Sequence, residues 1–133
     1  MISAGEELPG IQIRLVRQDV VRYAGASGDF NPIHYSDRHA QALGLQSVVV
    51  HGMWTMGAAL RVVTDWVGDP GKVVDYFVRF VSPLAVPDDD EGVLVDVTGQ
   101  VTAVEDGIAT VAIEVLSGGE KILGAAKAKV RVD

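Results

Sequence analysis

The sequence predicts an α+β fold in which an antiparallel sheet wraps around one long central helix. The stretch 53–66 is apolar nearly all round, which is typical of a helix that is buried on most sides. Four long runs rich in β-branched residues follow it, and valine alone occurs 23 times in the 133 residues. A chain of this length buries about 70% of its unfolded surface, so we expect a single domain over residues 1–133.

The segment before the central helix predicts one strand and two short helices. Apolar and polar residues alternate over 11–15, as in a half-buried strand. Residues 19–24 place apolar side chains on one side of a helix, which the two glycines and the proline within 24–32 must end. Ser36 is a suitable N-cap for a second short helix that stops before Gly44.

The rest of the chain predicts sheet. Glycine and proline within 68–71 end the central helix. The predicted strands are 73–81, 93–104, 108–116 and 121–132. Glycine-containing segments at 105–107 and 117–119 are typical of hairpin connections, so we expect a long antiparallel meander. The acidic run 88–91 is interpreted as a solvated turn between strands.

Composition excludes several classes of protein. Eleven Lys and Arg against 18 Asp and Glu give a net charge of −7, which disfavours binding to nucleic acid or to anionic lipid. The absence of cysteine excludes disulfides, thiolate catalysis and cysteine-ligated metal, and fits a cytoplasmic protein. The longest apolar stretch is interrupted by Arg61 and Asp65 and is too short to span a bilayer. We therefore expect neither nucleic acid nor membrane as a partner.

An irregular loop holds the first candidate site. Asp29 and His34 are five residues apart, which on a regular helix would point them in different directions. Pro32 prevents that helix and extends Asn31, so the loop can turn both side chains toward one point. An Asp and a His that converge on one water can divide acid and base roles near neutral pH. The alternative is that Asp29 and Asn31 only cap turns and that His34 is a surface imidazole.

Gly52 is the second candidate. It stands between a β-like run and the central helix, so its N–H lies at the helix N-terminus, where it has no intrahelical acceptor. A glycine also lets a ligand atom approach the backbone, as an oxyanion would require. Close packing of strand on helix would equally demand a glycine. His51 before it is interpreted as a structural residue, capping or hydrogen-bonded near the helix start.

No pattern in the sequence predicts a metal or a cofactor. The three histidines lack a zinc-binding spacing, since His34 and His39 are one residue too far apart for H-x-x-x-H. There is no G-x-S-x-G element and no phosphate-binding glycine loop. We expect no metal and no cofactor.

The residues from Tyr23 onward resemble the hydratase-2 signature of the MaoC-like dehydratases, the (R)-specific enoyl-thioester hydratases. That signature consists of an aromatic residue, the sequence S-G-D-x-N-P-aliphatic-H, five further residues and then a small residue. It is matched here by Tyr23, Ser27, Gly28, Asp29, Asn31, Pro32, Ile33, His34 and Ala40. H-G-M at 51–53 follows at the family's interval, and W-V-G-D-P-G at 66–71 resembles the B subunit of the actinobacterial (3R)-hydroxyacyl-carrier-protein dehydratase.

This resemblance implies a hot-dog fold and a dimer whose two sheets join edge to edge. It implies a hydro-lyase that reversibly dehydrates (3R)-3-hydroxyacyl thioesters of coenzyme A or a carrier protein to trans-2-enoyl thioesters. Asp29 and His34 would be the catalytic dyad that holds the water, with Gly52 N–H polarising the thioester carbonyl. Ser27 and Asn31 would shape the loop. The partner subunit would be a second copy or a related hot-dog chain.

Two other functions stay open at this stage. A hot-dog thioesterase would share the fold and the thioester, although the D-x-N-P-x-H loop argues against it. A non-catalytic acyl-thioester-binding subunit would be expected to lack Asp29 or His34, and this chain has both. From helix position alone, the candidates for lining an acyl channel are Met53, Trp54, Met56 and Leu60. The alternative for Met53, Trp54 and Met56 is a place in the core.

Overall fold

The valine-rich runs form one antiparallel sheet of five strands in the computed structural model, which describes residues 1–133. The strands are β1 (Ile11–Leu15), β2 (Val73–Phe80), β3 (Val93–Glu105), β4 (Ile108–Ser117) and β5 (Glu120–Arg131). The helices are α1 (Arg17–Ser27), α2 (Asp37–Ala42), α3 (Gly52–Ala59) and α4 (Arg61–Val67), with 3₁₀ turns at Pro32–His34 and Pro70–Lys72. The predicted α+β class and all four late strands are confirmed. No helix has the length and hydropathy that crossing a membrane requires.

The predicted meander is correct for three strands and wrong for the fourth. β3, β4 and β5 follow one another through tight turns, where Asp106 and Gly107 have φ of 53° and 75° and Gly118 and Gly119 have 57° and 80°. Such left-handed pairs match the twist of adjoining strands. The sheet order is β1-β3-β4-β5-β2, so β2 pairs with β5 and not with its sequence neighbour β3. β1 and β2 are therefore the two sheet edges.

The hydrophobic core lies between one face of the sheet and the central helices. Alternate residues of β3 and β4 are buried, as the period of two in a half-buried strand requires. They pack with buried residues of α3 and α4, chiefly Ala59, Val62 and Val63. The best-buried side chains of β3 and β4 are Val95, Val97, Val101, Ala109, Val111 and Val115.

The central helix is divided, which corrects the prediction of one helix over 53–66. Leu60 separates α3 from α4, although its backbone stays in the right-handed helical region at φ −62° and ψ −18°. The hydroxyl of Tyr76 on β2 donates to the carbonyl oxygen of Met56 at 2.6 Å, and in a regular helix that oxygen accepts from the N–H of Leu60. Burial raises the pKa of Tyr76 to about 12, so the hydroxyl remains a donor.

Burial of the central helix is also less complete than expected. Thr55 and Ala59 are buried, but Gly52 and Gly57 are exposed and Met53 is 60% exposed. One face of α3 therefore lacks a cover within this chain. The prediction of burial on most sides is wrong for α3, because apolar composition does not specify whether the covering surface belongs to the same chain.

The segment 48–50 before α3 is hydrogen-bonded to the segment 84–86, which lies between β2 and β3. Val50 N–H donates to Leu84 O at 3.0 Å and Val86 N–H donates to Val48 O at 2.9 Å. Arg17, at the start of α1, donates to the carbonyl oxygen of Val86 through Nε and Nη2 at 3.0 and 2.8 Å.

Asp37, at the start of α2, completes this connection. Its Oδ1 accepts from Val48 N–H at 2.9 Å and lies 3.1 Å from Nη2 of Arg17. The Val48 N–H, assisted by the Arg17 guanidinium, holds the pKa of the Asp37 carboxyl below its usual 3.8. α1 and α2 are thereby fixed to the segment that precedes α3. Ser36 caps α2 as predicted, since its Oγ accepts from His39 N–H at 3.2 Å.

We predict that Asp37→Asn lowers the free energy of unfolding at neutral pH by about 1 kcal/mol. This is less than a charged hydrogen bond usually contributes, because the Asp37 side chain is 42% exposed. A carboxylate with a lowered pKa stabilises the fold above its unfolded pKa, near 3.8, and loses that effect as the pH falls through its folded pKa. The difference between wild type and variant in thermal melts should therefore close below about pH 4.

The matched control is Asp65→Asn, whose carboxylate lies 3.9 Å from Arg61 and is 58% exposed. Such an exposed pair contributes little, so this variant should melt like the wild type. If the difference in melting temperature between wild type and Asp37→Asn persisted unchanged to acidic pH, it would contradict the stabilising role given to the Asp37 charge.

Candidate active site

A chain of local hydrogen bonds shapes the loop after α1. Gly28 ends the helix at φ 76°, a left-handed conformation that glycine adopts without strain. Ser27 Oγ then accepts from Asp29 N–H, Asp29 Oδ1 from Asn31 N–H, and Asn31 Oδ1 from Ile33 N–H, each at 3.2 Å. These are turn-forming contacts of the kind that short polar side chains make. They lead directly into the 3₁₀ turn that contains His34.

His34 is held by one strong hydrogen bond. Its Nδ1 lies 2.7 Å from the carbonyl oxygen of Val49, and the residue is only 6% exposed. Because a carbonyl oxygen only accepts, Nδ1 must carry the proton. In the neutral ring, Nε2 is then the free lone pair. That fixed tautomer is what a general base requires.

Nε2 of His34 faces the carboxylate of Asp29. The distance from Nε2 to Oδ2 is 3.8 Å, too long for a direct hydrogen bond. The side chain of Asp29 is 56% exposed and that of His34 only 8%, so the pair has one buried member and one member at the surface. A single water can reach both atoms from the open side. The structure thus brings the two predicted residues together around one point.

His51 joins this pair from the N-terminus of α3. Its Nε2 lies 3.0 Å from the carbonyl oxygen of Asp29, its ring stacks on His34 at 3.6 Å with an interplanar angle of 19°, and Tyr23 meets it edge-on. The expectation that His51 is hydrogen-bonded near the helix start is confirmed. Its contact with both Asp29 and His34 was not anticipated.

The geometry of these three residues does not favour a metal site. Asp29, His34 and His51 each offer a ligand atom within 4.8 Å of the others. A metal bound to imidazole lies in the plane of the ring, about 2.0 to 2.1 Å from the nitrogen. Because the two rings are stacked, one ion cannot lie in both planes at that distance. One nitrogen of each ring is also bonded to a carbonyl.

Gly52 is the first residue of α3 and follows His51 directly. A first-turn N–H has no acceptor within its own helix. A Cβ at this position would lie 2.8 Å from Cε1 of Phe80, so the absence of a side chain lets the Phe80 ring pack against the backbone. Phe80, at the end of β2 and 58% exposed, was not identified as a site residue from the sequence. Both explanations considered for this glycine, close packing and an accessible N–H, are compatible with this geometry.

Three of the four residues considered for an acyl channel, Met53, Met56 and Leu60, are spaced i, i+3 and i+7 and so lie on one side of the helix. Met53 is exposed, whereas Trp54 and Leu60 pack against the hydrophobic core and Met56 is half-buried. Trp54 also lines a cleft of about 250 Å³ with Tyr23, Arg22, Asp19 and Ala26. The channel role of these four residues stays a prediction.

Comparison with known protein families supports the resemblance to the MaoC-like dehydratases that the loop signature indicated. Residues 4–117 match the model of the MaoC-like domain. The chain belongs to the MaoC-like family. Its predicted hot-dog fold is confirmed by a solved MaoC-like dehydratase, with a TM-score of 0.95 and 37% identity over 99% of this chain and 41% of that one.

Two Mycobacterium tuberculosis relatives carry functional names. The chain is 30% identical over 113 residues to the 3-oxo-4,17-pregnadiene-20-carboxyl-CoA hydratase beta subunit, covering 85% of this chain and 84% of that protein. It is 35% identical over 79 residues to 3-hydroxyacyl-thioester dehydratase X, covering 59% of this chain and 27% of the relative. The chain thus spans about a quarter of that dehydratase and less than half of the solved MaoC-like chain.

Proposed function

We propose that this chain is a hydro-lyase that reversibly converts (3R)-3-hydroxyacyl thioesters into trans-2-enoyl thioesters. The observation that carries the proposal is the approach of Asp29 Oδ2 to the free Nε2 of His34, at 3.8 Å. Two titratable groups around one water can move both protons of an elimination. The names of the two relatives, a thioester dehydratase and a CoA hydratase subunit, support the same chemistry.

The difficult step is removal of the weakly acidic α-proton. In the dehydration direction, the dyad takes the proton from Cα and delivers one to the leaving hydroxyl, so water departs as the C–C double bond forms. Negative charge develops on the thioester oxygen, and the N–H of Gly52 at the positive end of α3 would stabilise it. Asp29 and His34 act here as a coupled pair, so neither is assigned alone as acid or base.

The substrate is a thioester of coenzyme A or of an acyl carrier protein, in fatty-acid or polyketide metabolism. The site needs no cofactor for this reaction, because proton transfer and an N–H donor supply the chemistry. Ser27 and Asn31 keep the loop in shape through their bonds to Asp29 and Ile33 N–H. Met53 contributes to the acyl channel from its exposed position, and a second subunit supplies the opposite wall.

That second subunit is a related hot-dog chain or a second copy. The single chain exposes Phe30 next to Asp29, and Met53 and Phe80 next to Gly52, at 62%, 60% and 58%. Large apolar side chains clustered at a site in this way are unusual on a surface that stays uncovered. β2 is an unpaired sheet edge that also exposes Phe77 at 45%. One relative is itself named a beta subunit. Joining β2 edges would cover both features.

The direct test of the reaction uses crotonyl-CoA. Hydration should bleach the enoyl-thioester absorbance without releasing free thiol, and (3R)-hydroxybutyryl-CoA should regain it. Thiol release would instead identify a thioesterase, and binding without either change would identify a non-catalytic subunit. Either of those outcomes would contradict the proposed reaction.

The role of Gly52 can be separated from its packing by two substitutions. Gly52→Ala and Gly52→Pro both place a Cβ against Phe80, but only proline removes the N–H. Proline suits the first position of a helix, and the preceding His51, at φ −63° and ψ 133°, already has the conformation that proline imposes on its neighbour. We predict that Gly52→Pro lowers kcat by roughly 10²-fold or more relative to Gly52→Ala. Equal kcat values in two folded variants, checked by circular dichroism, would remove this N–H from the mechanism.

We predict that the chain alone forms a dimer through β2. Phe77→Lys should weaken it, because a charge on an edge strand opposes edge-to-edge pairing. Leu43→Lys is the matched control, since Leu43 is 72% exposed and lies after α2, outside the sheet. Light scattering should report a dimer for wild type and Leu43→Lys and a smaller species for Phe77→Lys. A wild-type monomer at micromolar concentration would contradict a homodimer through β2.

A further inference from the structure

His51 makes three contacts that the turn chemistry of the loop does not require. It is only 3% exposed, although it is the N-cap residue of α3 and its side chain caps no helical N–H. Its Nε2 reaches Asp29, its ring face covers His34, and it forms a T-shaped contact with Tyr23 at 4.9 Å between ring centroids. One buried side chain therefore touches both members of the dyad.

The hydrogen bond defines the tautomer of His51. The carbonyl oxygen of Asp29 only accepts, so Nε2 of His51 carries the proton and donates it. In the neutral ring, Nδ1 is then a bare lone pair. Nδ1 is buried and has no hydrogen-bond partner, and a bare acceptor is a less costly group to leave there than an N–H donor. A leucine would avoid this cost but would also lose the bond to Asp29 and the flat ring on His34, so these two contacts are what the histidine supplies here.

At Asp29 itself, the other hydrogen bonds are local. Its own backbone N–H and carboxylate bond to Ser27 and Asn31, both within two residues. Its side chain is more than half exposed. The bond from His51 ties the Asp29 backbone to α3, and the stacked ring restricts rotation of the His34 imidazole about its Cβ–Cγ bond.

We propose that His51 is a positioning residue that holds Asp29 and the ring plane of His34 in the geometry for proton transfer. This inference rests on the proposed hydratase function. His51 touches no reacting atom; it acts through the other two residues. Misplacing a catalytic group by about 1 Å can reduce the rate by as much as 10²-fold, so the contribution should appear in kcat and not in substrate affinity.

Three substitutions separate the two contacts. His51→Phe keeps a flat ring on His34 but cannot donate to Asp29, His51→Gln keeps an N–H donor without the ring, and His51→Leu has neither. With crotonyl-CoA we expect His51→Leu to lower kcat by roughly tenfold or more, with partial recovery in Phe and Gln and with KM within about twofold of wild type. His39→Leu, a change of an exposed histidine on α2, is the matched control and should resemble wild type.

Nuclear magnetic resonance gives a readout that does not depend on turnover. Long-range ¹H–¹⁵N spectra of the wild-type protein should show His51 as the Nε2–H tautomer and His34 as the Nδ1–H tautomer. The Nδ1–H form of His51 would overturn the inference whatever the activity.

Activity separates the remaining outcomes. An active wild type whose His51→Leu variant keeps normal kcat per folded molecule, with only a lower melting temperature, would reduce His51 to a structural residue and leave the proposed reaction intact. A wild type inactive on both crotonyl-CoA and (3R)-hydroxybutyryl-CoA would overturn the proposed reaction and, with it, the catalytic purpose given to His51.

Discussion

The hydrogen bond from His34 Nδ1 to the carbonyl oxygen of Val49 is the constraint on which the site depends. At 2.7 Å and nearly out of contact with solvent, it fixes both the position and the tautomer of the imidazole. It also links the loop after α1 to the segment that leads into α3. Val49 N–H returns a bond to Ile33 O at 3.0 Å, so the two backbones are held from both sides.

The remainder of the fold keeps that carbonyl in place. Residues 48–50 are paired with 84–86, and Arg17 and Asp37 connect α1 and α2 to the same two segments. None of these groups needs to touch a substrate. Their effect is to make residues 48–50 a rigid support for the loop that carries Asp29. A rigid support of this kind lets an irregular segment hold functional side chains accurately.

Local sequence pattern was sufficient for those parts of the structure that depend on near neighbours. The strands, both β-turns and the Ser36 cap follow from alternation, glycine positions and a single hydroxyl, and their physics acts within a few residues. For Asp29 and His34, spacing alone left turn capping as an alternative, and it was the family signature that singled them out. The structure brings them together, and their catalytic roles stay a proposal.

What the pattern missed depends on contacts between distant residues. The pairing of β2 with β5, the hydrogen bond from the Tyr76 hydroxyl to Met56 near the break at Leu60, and the stack of His51 on His34 each join segments that are separated along the chain. Periodicity carries no information about such partners. The exposed face of α3 also could not be predicted from local pattern, because in the proposed dimer it is covered by the second subunit.

The central claim is that Asp29 and His34 act as one unit, and a double-mutant cycle tests it most directly. In (3R)-hydroxybutyryl-CoA dehydration, Asp29→Asn and His34→Gln should each lower kcat by roughly 10²-fold or more, and the double variant should be little worse than the worse single one. Near-normal kcat in either single variant, or losses that multiply in the double variant, would contradict the claim.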